Sequence, residues 1–140
     1  GQVVFKLARR MIPQEGPVRV EAEVRRVIEE AAATQPGLQV QVRRLLLARS
    51  WQPDERSAPL VQALQRHGLA VFGEPIAASG TPLYTDVRLY AAAGAAAAIY
   101  GAGPRTVLES NAKRADEHLV LDDLRRATRV VARALLDLLR

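Results

Sequence analysis

The fold is decided by residues 80–124, which read GTPLYTDVRLYAAAGAAAAIYGAGPRTVLESNAKRADEHLVLDDL. Residues 86–93 of this stretch predict a short helix that ends at Gly94. Residues 95–100 form a short apolar run between glycines, which is typical of a strand buried on both faces. A further strand is predicted just upstream, at residues 74–79. Strands that alternate with helices in this way indicate an α/β fold.

The predicted strand over residues 95–100 runs into the sequence Gly101-Ala102-Gly103-Pro104. Small residues in such a loop let backbone N–H groups approach a ligand closely. Ligands of open α/β sheets bind just beyond the carboxyl ends of the strands. We therefore expect Thr85, Arg88 and the glycine loop to lie on one rim of the sheet, as candidate ligand-binding residues.

Several motifs follow one another in a fixed order along the chain. They are Thr85-Asp86-Val87-Arg88, Tyr100-Gly101-Ala102-Gly103-Pro104, the acidic pair Asp116-Glu117 and a final amphipathic helix. This order resembles the end of the dinuclear zinc peptidases and deacylases typified by acetylornithine deacetylase, succinyl-diaminopimelate desuccinylase, aminoacylase-1 and carboxypeptidase G. The resemblance implies that residues 51–140 are the carboxy-terminal part of a zinc-exopeptidase-like catalytic α/β domain.

The first fifty residues predict a strand, a helix and a strand. Residues 2–8 and 38–42 alternate apolar with polar side chains, and residues 17–34 carry one apolar stripe. Such a β-α-β unit is half of a small α+β sandwich, and it resembles the second half of the family's lid or dimerisation domain. That half carries the motif D-x-R-x-x-P-x-E, which Arg10, Pro13 and Glu15 match, whereas Ala8 stands at the aspartate position. Arg9 and Arg10 are either substrate-facing residues or an exposed strand end.

Two further helices are predicted after a linker at residues 50–54. The first covers residues 58–72 and includes His67, to which the sequence assigns no role. The second is the final helix, which starts near Asp122 and Asp123, where carboxylates favour the positive end of the helix dipole. Its predicted buried stripe is Leu124, Ala127, Val131, Ala134, Leu135 and Leu138.

Composition narrows the possible functions. The net charge is +5, and eighteen of the twenty basic residues are arginines, spread along the chain rather than clustered. With few aromatic residues among them, nucleic-acid binding is disfavoured, and the arginines are expected to form a solvated surface. No apolar run could span a membrane and no signal-peptide pattern opens the chain, so a cytoplasmic protein without membrane contact is expected. Cysteine is absent, which excludes disulfides and thiolate zinc ligands.

The resemblance implies a carboxylate-binding role for part of the site. Arg88 follows the motif aspartate, where the family's arginine clamps a substrate carboxylate, and a planar guanidinium suits that bidentate task. The alternative for Arg88 is an ion pair with Asp86 or Asp116 that ties the loop. Thr85, Gly101, Gly103 and Asn111 complete the candidate substrate-binding set, and the partner is a small substrate with a free carboxylate.

The resemblance implies zinc or another divalent metal in the parent protein, held mainly by H-x-D and Glu-Glu motifs that this chain lacks. No metal is expected to bind this chain alone, and no catalytic residue is assigned in it. The histidine expected before Glu117 is replaced by Lys113. Three interpretations stay open: the Lys113 ammonium replaces one metal, His118 takes over as a ligand, or no metal binds. Lys113 could equally be a solvated loop residue.

These observations predict the carboxy-terminal portion of a metal-dependent amidohydrolase or peptidase that cleaves N-acyl amino acids or small peptides. The chain alone is expected to be inactive. The alternative is a non-catalytic module that dimerises or binds carboxylates. In either case the lid half predicts a homodimer, because its unpaired strand edge would seek a partner chain.

Overall fold

The computed structural model describes residues 1–81, 83–102 and 106–140, in two compact units, Gly1–Gln52 and Pro53–Arg140. The helices of the described residues are α1 (Pro17–Ala33), α2 (Ala58–Phe72), α3 (Val87–Ala92) and α4 (Leu121–Leu138), with one 3-10 turn, Glu55–Ser57, before α2. None of these helices is long and apolar enough to cross a membrane. The assignment of residues 1–50 to a lid and 51–140 to a catalytic domain stays a prediction.

The predicted strands are not strands in the structure. Residues 2–8, 38–42, 74–79 and 95–100 pair with no neighbour among the described residues, which are helical or irregular. A strand forms only where a second segment supplies its hydrogen-bond partners, and alternation along one segment cannot reveal whether that partner is present. The α/β class is therefore not confirmed.

In the first unit, α1 starts where the sequence indicates. Pro17 occupies the first helical turn after Gly16, where its missing N–H leaves no bond unmade. The helix ends at Ala33, and Gly37 then adopts a positive φ of 82°. A later segment is attached to this helix, because Glu21 forms an ion pair with Arg44 at 2.7 Å and Arg25 Nη1 donates to the carbonyl of Val42 at 3.0 Å.

The predicted apolar stripe of α1 is largely uncovered. The residues of this stripe, at helical spacing in the sequence, are Val20, Val24, Val27, Ile28 and Ala31. Of these, Val20 is buried, whereas Val27 is 53% exposed. Val24, Val27 and Ile28 line one wall of a shallow groove of about 210 Å³. Val20 is thus the one buried residue of the predicted stripe, and the described residues of this unit do not cover the rest.

The core of the second unit is the contact between α2 and α4. The buried residues of the two helices are Ala63 and Gly68 on α2, and Ala127, Val130 and Ala134 on α4. Gly68 also packs against the segment after α2, because a Cβ added there would lie 2.3 Å from Cδ1 of Ile76. The glycine therefore lets the Ile76 side chain lie directly on the helix.

The buried stripe of α4 differs from the predicted one. Ala127 and Ala134 are buried as expected, but Val130 is fully buried where Val131 was predicted, and Val131 is 39% exposed. Leu135 and Leu138, also predicted as core, are 51% and 42% exposed. The large leucines are thus about half exposed, and the buried positions of α4 hold alanine and valine.

The segment after α3 is tied to the start of α2. Arg56 donates to the carbonyl of Gly94 at 3.0 Å, and Ser57 Oγ accepts the backbone N–H of Ala97 at 3.2 Å. Ser57 and Ala97 are both buried. Gly94 has φ of 92°, a conformation that favours glycine. The helix α3 ends at Ala92, two residues before the predicted end at Gly94. Gly94 instead lies in the turn that follows, which Arg56 holds through the Gly94 carbonyl.

A polar cluster joins the far ends of α2 and α4. Asp137 Oδ2 lies 2.6 Å from His67 Nε2 and 2.5 Å from an Arg66 nitrogen. The hydrogen bond with His67, followed by that with Arg66, lowers the pKa of Asp137 below its ordinary value. His67, to which the sequence assigned no role, is thus part of a contact between helices.

Acid is expected to weaken this cluster. A carboxyl group whose pKa is lowered by folding stabilises the folded state above its unfolded pKa of about 3.9, and this contribution is lost as the pH falls through the folded pKa. We expect the thermal unfolding temperature of Asp137→Asn to fall less than that of the wild type between pH 5 and pH 2. Asp123→Asn is the control, since Asp123 forms no ion pair among the described residues. Parallel pH curves for the wild type and Asp137→Asn would contradict the expectation.

Candidate functional site

The first group of predicted site residues surrounds the start of α3. Thr85 Oγ1 accepts the backbone N–H of Val87 at 3.3 Å, so the hydroxyl satisfies one of the free donors of the first turn. Asp86 occupies the capping position, but its side chain makes no capping hydrogen bond. The side chain that accepts a backbone N–H of the first turn is therefore that of Thr85 and not that of Asp86.

Arg88 lies in the first turn of α3 and contacts Tyr84. Its Nη2 donates to the Tyr84 hydroxyl at 2.6 Å, and its Cζ lies 5.0 Å from the centre of the Tyr84 ring. Arg88 is half-buried, and its Nε is buried without a hydrogen-bond partner among the described residues. The predicted alternative, an ion pair with Asp86 or Asp116, does not form among those residues. Sequence reasoning missed Tyr84, although the two residues are only four positions apart.

The glycine loop is described in part. Gly101 is exposed, has no positive φ, and has open space around the position of a Cβ. Its backbone therefore does not require glycine. Gly103 lies outside the described residues. Tyr100, just before this loop, is partly buried, and burial raises the pKa of its hydroxyl.

Residues 106–118 form a hydrogen-bonded turn system. Glu109 accepts from the Thr106 backbone N–H at 2.8 Å, and the Glu109 backbone N–H donates to Thr106 Oγ1 at 3.1 Å. This reciprocal pair is the geometry of a capping box, whose signature T-x-x-E is present in the sequence and could have located it. The His118 backbone N–H closes the system on the Ser110 carbonyl at 3.1 Å.

Asn111 and Lys113 both adopt left-handed backbone conformations, with φ of 50° and 66°. Asn111 Nδ2 donates to Asp116 Oδ2 at 2.9 Å, so its amide is engaged within the loop. Glu117 accepts the Lys113 backbone N–H at 2.9 Å. The Lys113 ammonium forms no ion pair among the described residues. The Glu117 carboxylate therefore binds the backbone N–H of Lys113, and the replacement of a metal by the Lys113 ammonium stays a prediction.

His118 is exposed and points to the backbone. Its Nδ1 lies 3.1 Å from the Asp116 carbonyl oxygen. Within residues 1–81, 83–102 and 106–140, no three histidine, aspartate or glutamate side chains form a group that could hold a metal ion. The acidic pair and His118 thus share one loop, but the described residues do not fit a metal centre there.

The predicted site residues fall into two groups. Thr85 and Arg88 belong to α3 and the segment before it, whereas Asn111, Lys113 and His118 belong to the turn system of residues 106–118. No hydrogen bond, ion pair or ring contact joins the two groups in the part of the chain that is described. The single rim expected for the substrate-binding set stays a prediction.

The motif near residue 10 forms a tight turn in the first unit. Glu15 binds Arg9 at 2.5 Å and accepts the Ile12 backbone N–H at 3.0 Å. The contact with Arg9, followed by that with Ile12, lowers the pKa of Glu15. The Arg10 side chain is exposed and has no partner among the described residues. Arg9 is therefore bound within the turn, and a substrate-facing role for Arg10 stays a prediction.

Replacing Lys113 with glycine is expected to stabilise the chain. A non-glycine residue in the left-handed region costs about 1 kcal/mol, part of which the more flexible unfolded glycine offsets. We expect a gain of a few tenths to about 1 kcal/mol in the free energy of unfolding in urea. Lys113→Ala, which keeps the strained backbone, should stay within about 0.5 kcal/mol of the wild type. Destabilisation by both changes would instead indicate that the ammonium balances the loop carboxylates.

Comparison with known proteins identifies a family. A family model described as peptidase family M20/M25/M40 matches residues 6–137. Searches of curated proteins and of solved structures each returned no match. The family match covers both units, including the turn around Glu15 and helix α3.

Proposed function

The chain belongs to the peptidase family M20/M25/M40, and we propose that it is the carboxy-terminal portion of a metal-dependent amidohydrolase or peptidase. The general activity of the family is metal-dependent hydrolysis. The proposed substrates are N-acyl amino acids or small peptides with a free carboxylate, as in the deacylases and carboxypeptidases that the motifs resemble. A cytoplasmic location belongs to the same proposal and rests on the sequence alone.

The observation that carries this proposal is the family match over residues 6–137. The motif Thr85-Asp86-Val87-Arg88 gives it a chemical basis in this chain. Thr85 caps α3 and so fixes the backbone that carries Arg88. The half-buried guanidinium of Arg88 has no carboxylate partner among the described residues, and it is proposed to bind the carboxylate of the substrate.

The metal is assigned to another part of the protein. The family is generally metal-dependent, and zinc is the proposed metal, but the described residues contain no group that fits one. The H-x-D and Glu-Glu motifs of the resembled enzymes, expected before residue 1, are proposed to supply the ligands and the catalytic base. The part played by this chain is to bind and orient the substrate, whereas the bond-breaking step is proposed to belong to residues upstream of it.

Uncovered apolar surface supports the view that this chain is a portion of a larger domain. On α4, Leu135 and Leu136 are 51% and 59% exposed, and Leu139, directly after the helix, is 83% exposed. Large apolar side chains that adjoin one another in this way mark a surface that another element covers. The rest of the catalytic domain is the proposed cover.

A second candidate is a non-catalytic module that dimerises through the first unit. It is favoured by the exposure of Val3, Phe5 and Leu7, at 74%, 88% and 71%. Light scattering of the 140-residue chain would show a dimer if this surface self-associates, and Phe5→Asp would then shift it to a monomer. A dimer is also compatible with the enzyme proposal, so the mass alone does not choose between the two.

Hydrolysis is the test of the proposed enzyme. The full-length product of the gene is incubated with N-acetyl amino acids and with dipeptides, and the free amine is quantified with and without a chelator. The 140-residue chain is the control and is expected to release no amine. Absence of hydrolysis by the full-length product in the presence of zinc would overturn the proposal and favour the non-catalytic module.

A further inference from the structure

Tyr84 holds the guanidinium of Arg88 through two different contacts. The hydroxyl accepts a hydrogen bond from Nη2 at 2.6 Å, and the ring lies 5.0 Å from Cζ, within the range of a cation–π interaction. The hydrogen bond fixes one nitrogen, and the ring restricts the plane of the group. Together they define one orientation for a side chain that is otherwise free to rotate about several bonds.

The third constraint is the buried Nε. This N–H has no acceptor among the described residues, a condition that costs free energy and is rare in folded proteins. A side chain that could rotate freely would expose this nitrogen to water. Arg88 is therefore held in place by its surroundings, at the expense of one unmade hydrogen bond.

The orientation leaves the functional edge of the guanidinium available. Arginine has five N–H donors. In Arg88 one hydrogen of Nη2 is directed to Tyr84, whereas Nη1 makes no hydrogen bond among the described residues. Nη1 and the second hydrogen of Nη2 together form the fork that matches the two oxygens of a carboxylate.

We propose that Tyr84 is the positioning residue that presents the free edge of Arg88 to a substrate carboxylate. The inference rests on the proposed function of Arg88, and it adds a residue that the motif Thr85-Asp86-Val87-Arg88 does not contain. Tyr84 acts through Arg88 and does not touch the substrate. Its loss should weaken carboxylate binding without weakening the fold, since Tyr84 is 48% exposed.

The first part of the test observes Arg88 directly. In the ¹⁵N-labelled chain, the Nε–Hε signal of Arg88 is assigned by its disappearance in Arg88→Gln. We expect this signal to be separate from those of the other arginines and slow to exchange with water. In Tyr84→Leu it should move to the position of a free arginine and exchange rapidly. Tyr90→Leu is the matched control, because Tyr90 lies on α3, is 66% exposed and makes no ring contact with an arginine among the described residues.

The second part measures binding with N-acetylglycine as the probe and N-acetylglycinamide as its uncharged counterpart. We expect Tyr84→Leu to weaken binding of N-acetylglycine about tenfold, which equals about 1.4 kcal/mol. Tyr84→Phe, which keeps the ring and loses the hydroxyl, should weaken it about threefold. Tyr90→Leu should bind like the wild type, and the unfolding temperatures of all variants should agree.

The outcomes separate the inference from the function on which it rests. If Arg88→Gln abolishes binding of N-acetylglycine while Tyr84→Leu binds it normally, the role of Tyr84 is overturned and that of Arg88 stands. If the probe and its amide bind alike and Arg88→Gln changes nothing, the carboxylate role of Arg88 fails, and the inference fails with it. An Arg88 signal that Tyr84→Leu leaves unchanged would also overturn the inference.

Discussion

Replacing Val130 with aspartate is expected to unfold the second unit. Val130 is 0% exposed in the contact between α2 and α4, where its neighbours along α4 are the buried Ala127 and Ala134. Removing its side chain from the core costs about 1.5–3 kcal/mol, and burying an unpaired carboxylate costs several kcal/mol more. A small domain is stable by only about 5–15 kcal/mol, so the helices should lose their cooperative unfolding transition. Urea unfolding of the 140-residue chain, followed by circular dichroism, measures this.

Val131→Asp is the matched control for this change. The two valines are adjacent, but Val131 is 39% exposed, so its aspartate can remain in water. Val131→Asp should change the free energy of unfolding by no more than about 1 kcal/mol. The sequence predicts Val131 and not Val130 as the core residue. Comparing Val130→Asp with Val131→Asp therefore also tests whether the predicted buried stripe of α4 or the one in the structure is correct. A larger loss of stability in Val131→Asp would contradict the burial of Val130 between the two helices.

Replacing Arg88 with glutamine in the full-length gene product is expected to lower kcat/KM about a hundredfold for substrates with a free carboxylate. Removing one partner of a desolvated charge pair costs about 2–5 kcal/mol, and about 2.7 kcal/mol corresponds to a hundredfold. Arg88→Lys should recover part of the loss, because a lysine keeps the charge but not the planar fork. The kinetics of an N-acyl amino acid hydrolysed by each variant measure the effect.

The uncharged substrate supplies the control for Arg88. The amide of the same N-acyl amino acid offers no carboxylate, so the wild type and Arg88→Gln should hydrolyse it at similar, low rates. If Arg88→Gln lowered kcat/KM equally for the acid and for the amide, Arg88 would support the fold of the site and would not recognise the carboxylate.

The helices could be predicted from local signals, and the strands could not. Pro17 marks the start of α1, and Gly73, with φ of 81°, follows the end of α2 at Phe72. These signals act within a few residues, so a single sequence contains them. A strand needs a partner that is distant in sequence, and residues 2–8 and 95–100 find none among the described residues.

The core of α4 shows a related limit. Its apolar side could be located from the spacing of its side chains, but the centre of that side depends on the surface of α2. Val130 and the two alanines of α4 are buried, as are Ala63 and Gly68 of α2, whereas Leu135 is 51% exposed. The size of a side chain is therefore a poor guide to its burial on this helix.

The candidate site could be predicted residue by residue, but its contacts could not. The motif around Arg88 identifies the arginine, whereas its contact with Tyr84 depends on the path of the chain before α3. Lys113 was considered as a replacement for a metal because of its position in the motif. Its φ of 66° and the hydrogen bond from its backbone N–H to Glu117 arise from the turn system of residues 106–118. A sequence motif gives residue types and spacing but not the backbone conformation of such a turn.

Native mass spectrometry of the full-length gene product tests the central claim most directly, because one spectrum gives both the intact mass and the bound zinc. The account predicts a chain heavier than 15.3 kDa that carries one or two zinc ions, whereas the 140-residue chain carries none. A gene product with the mass of these 140 residues and no zinc would contradict the proposed hydrolase. It would leave a member of the family whose activity is binding, to a second copy of itself or to a small carboxylate.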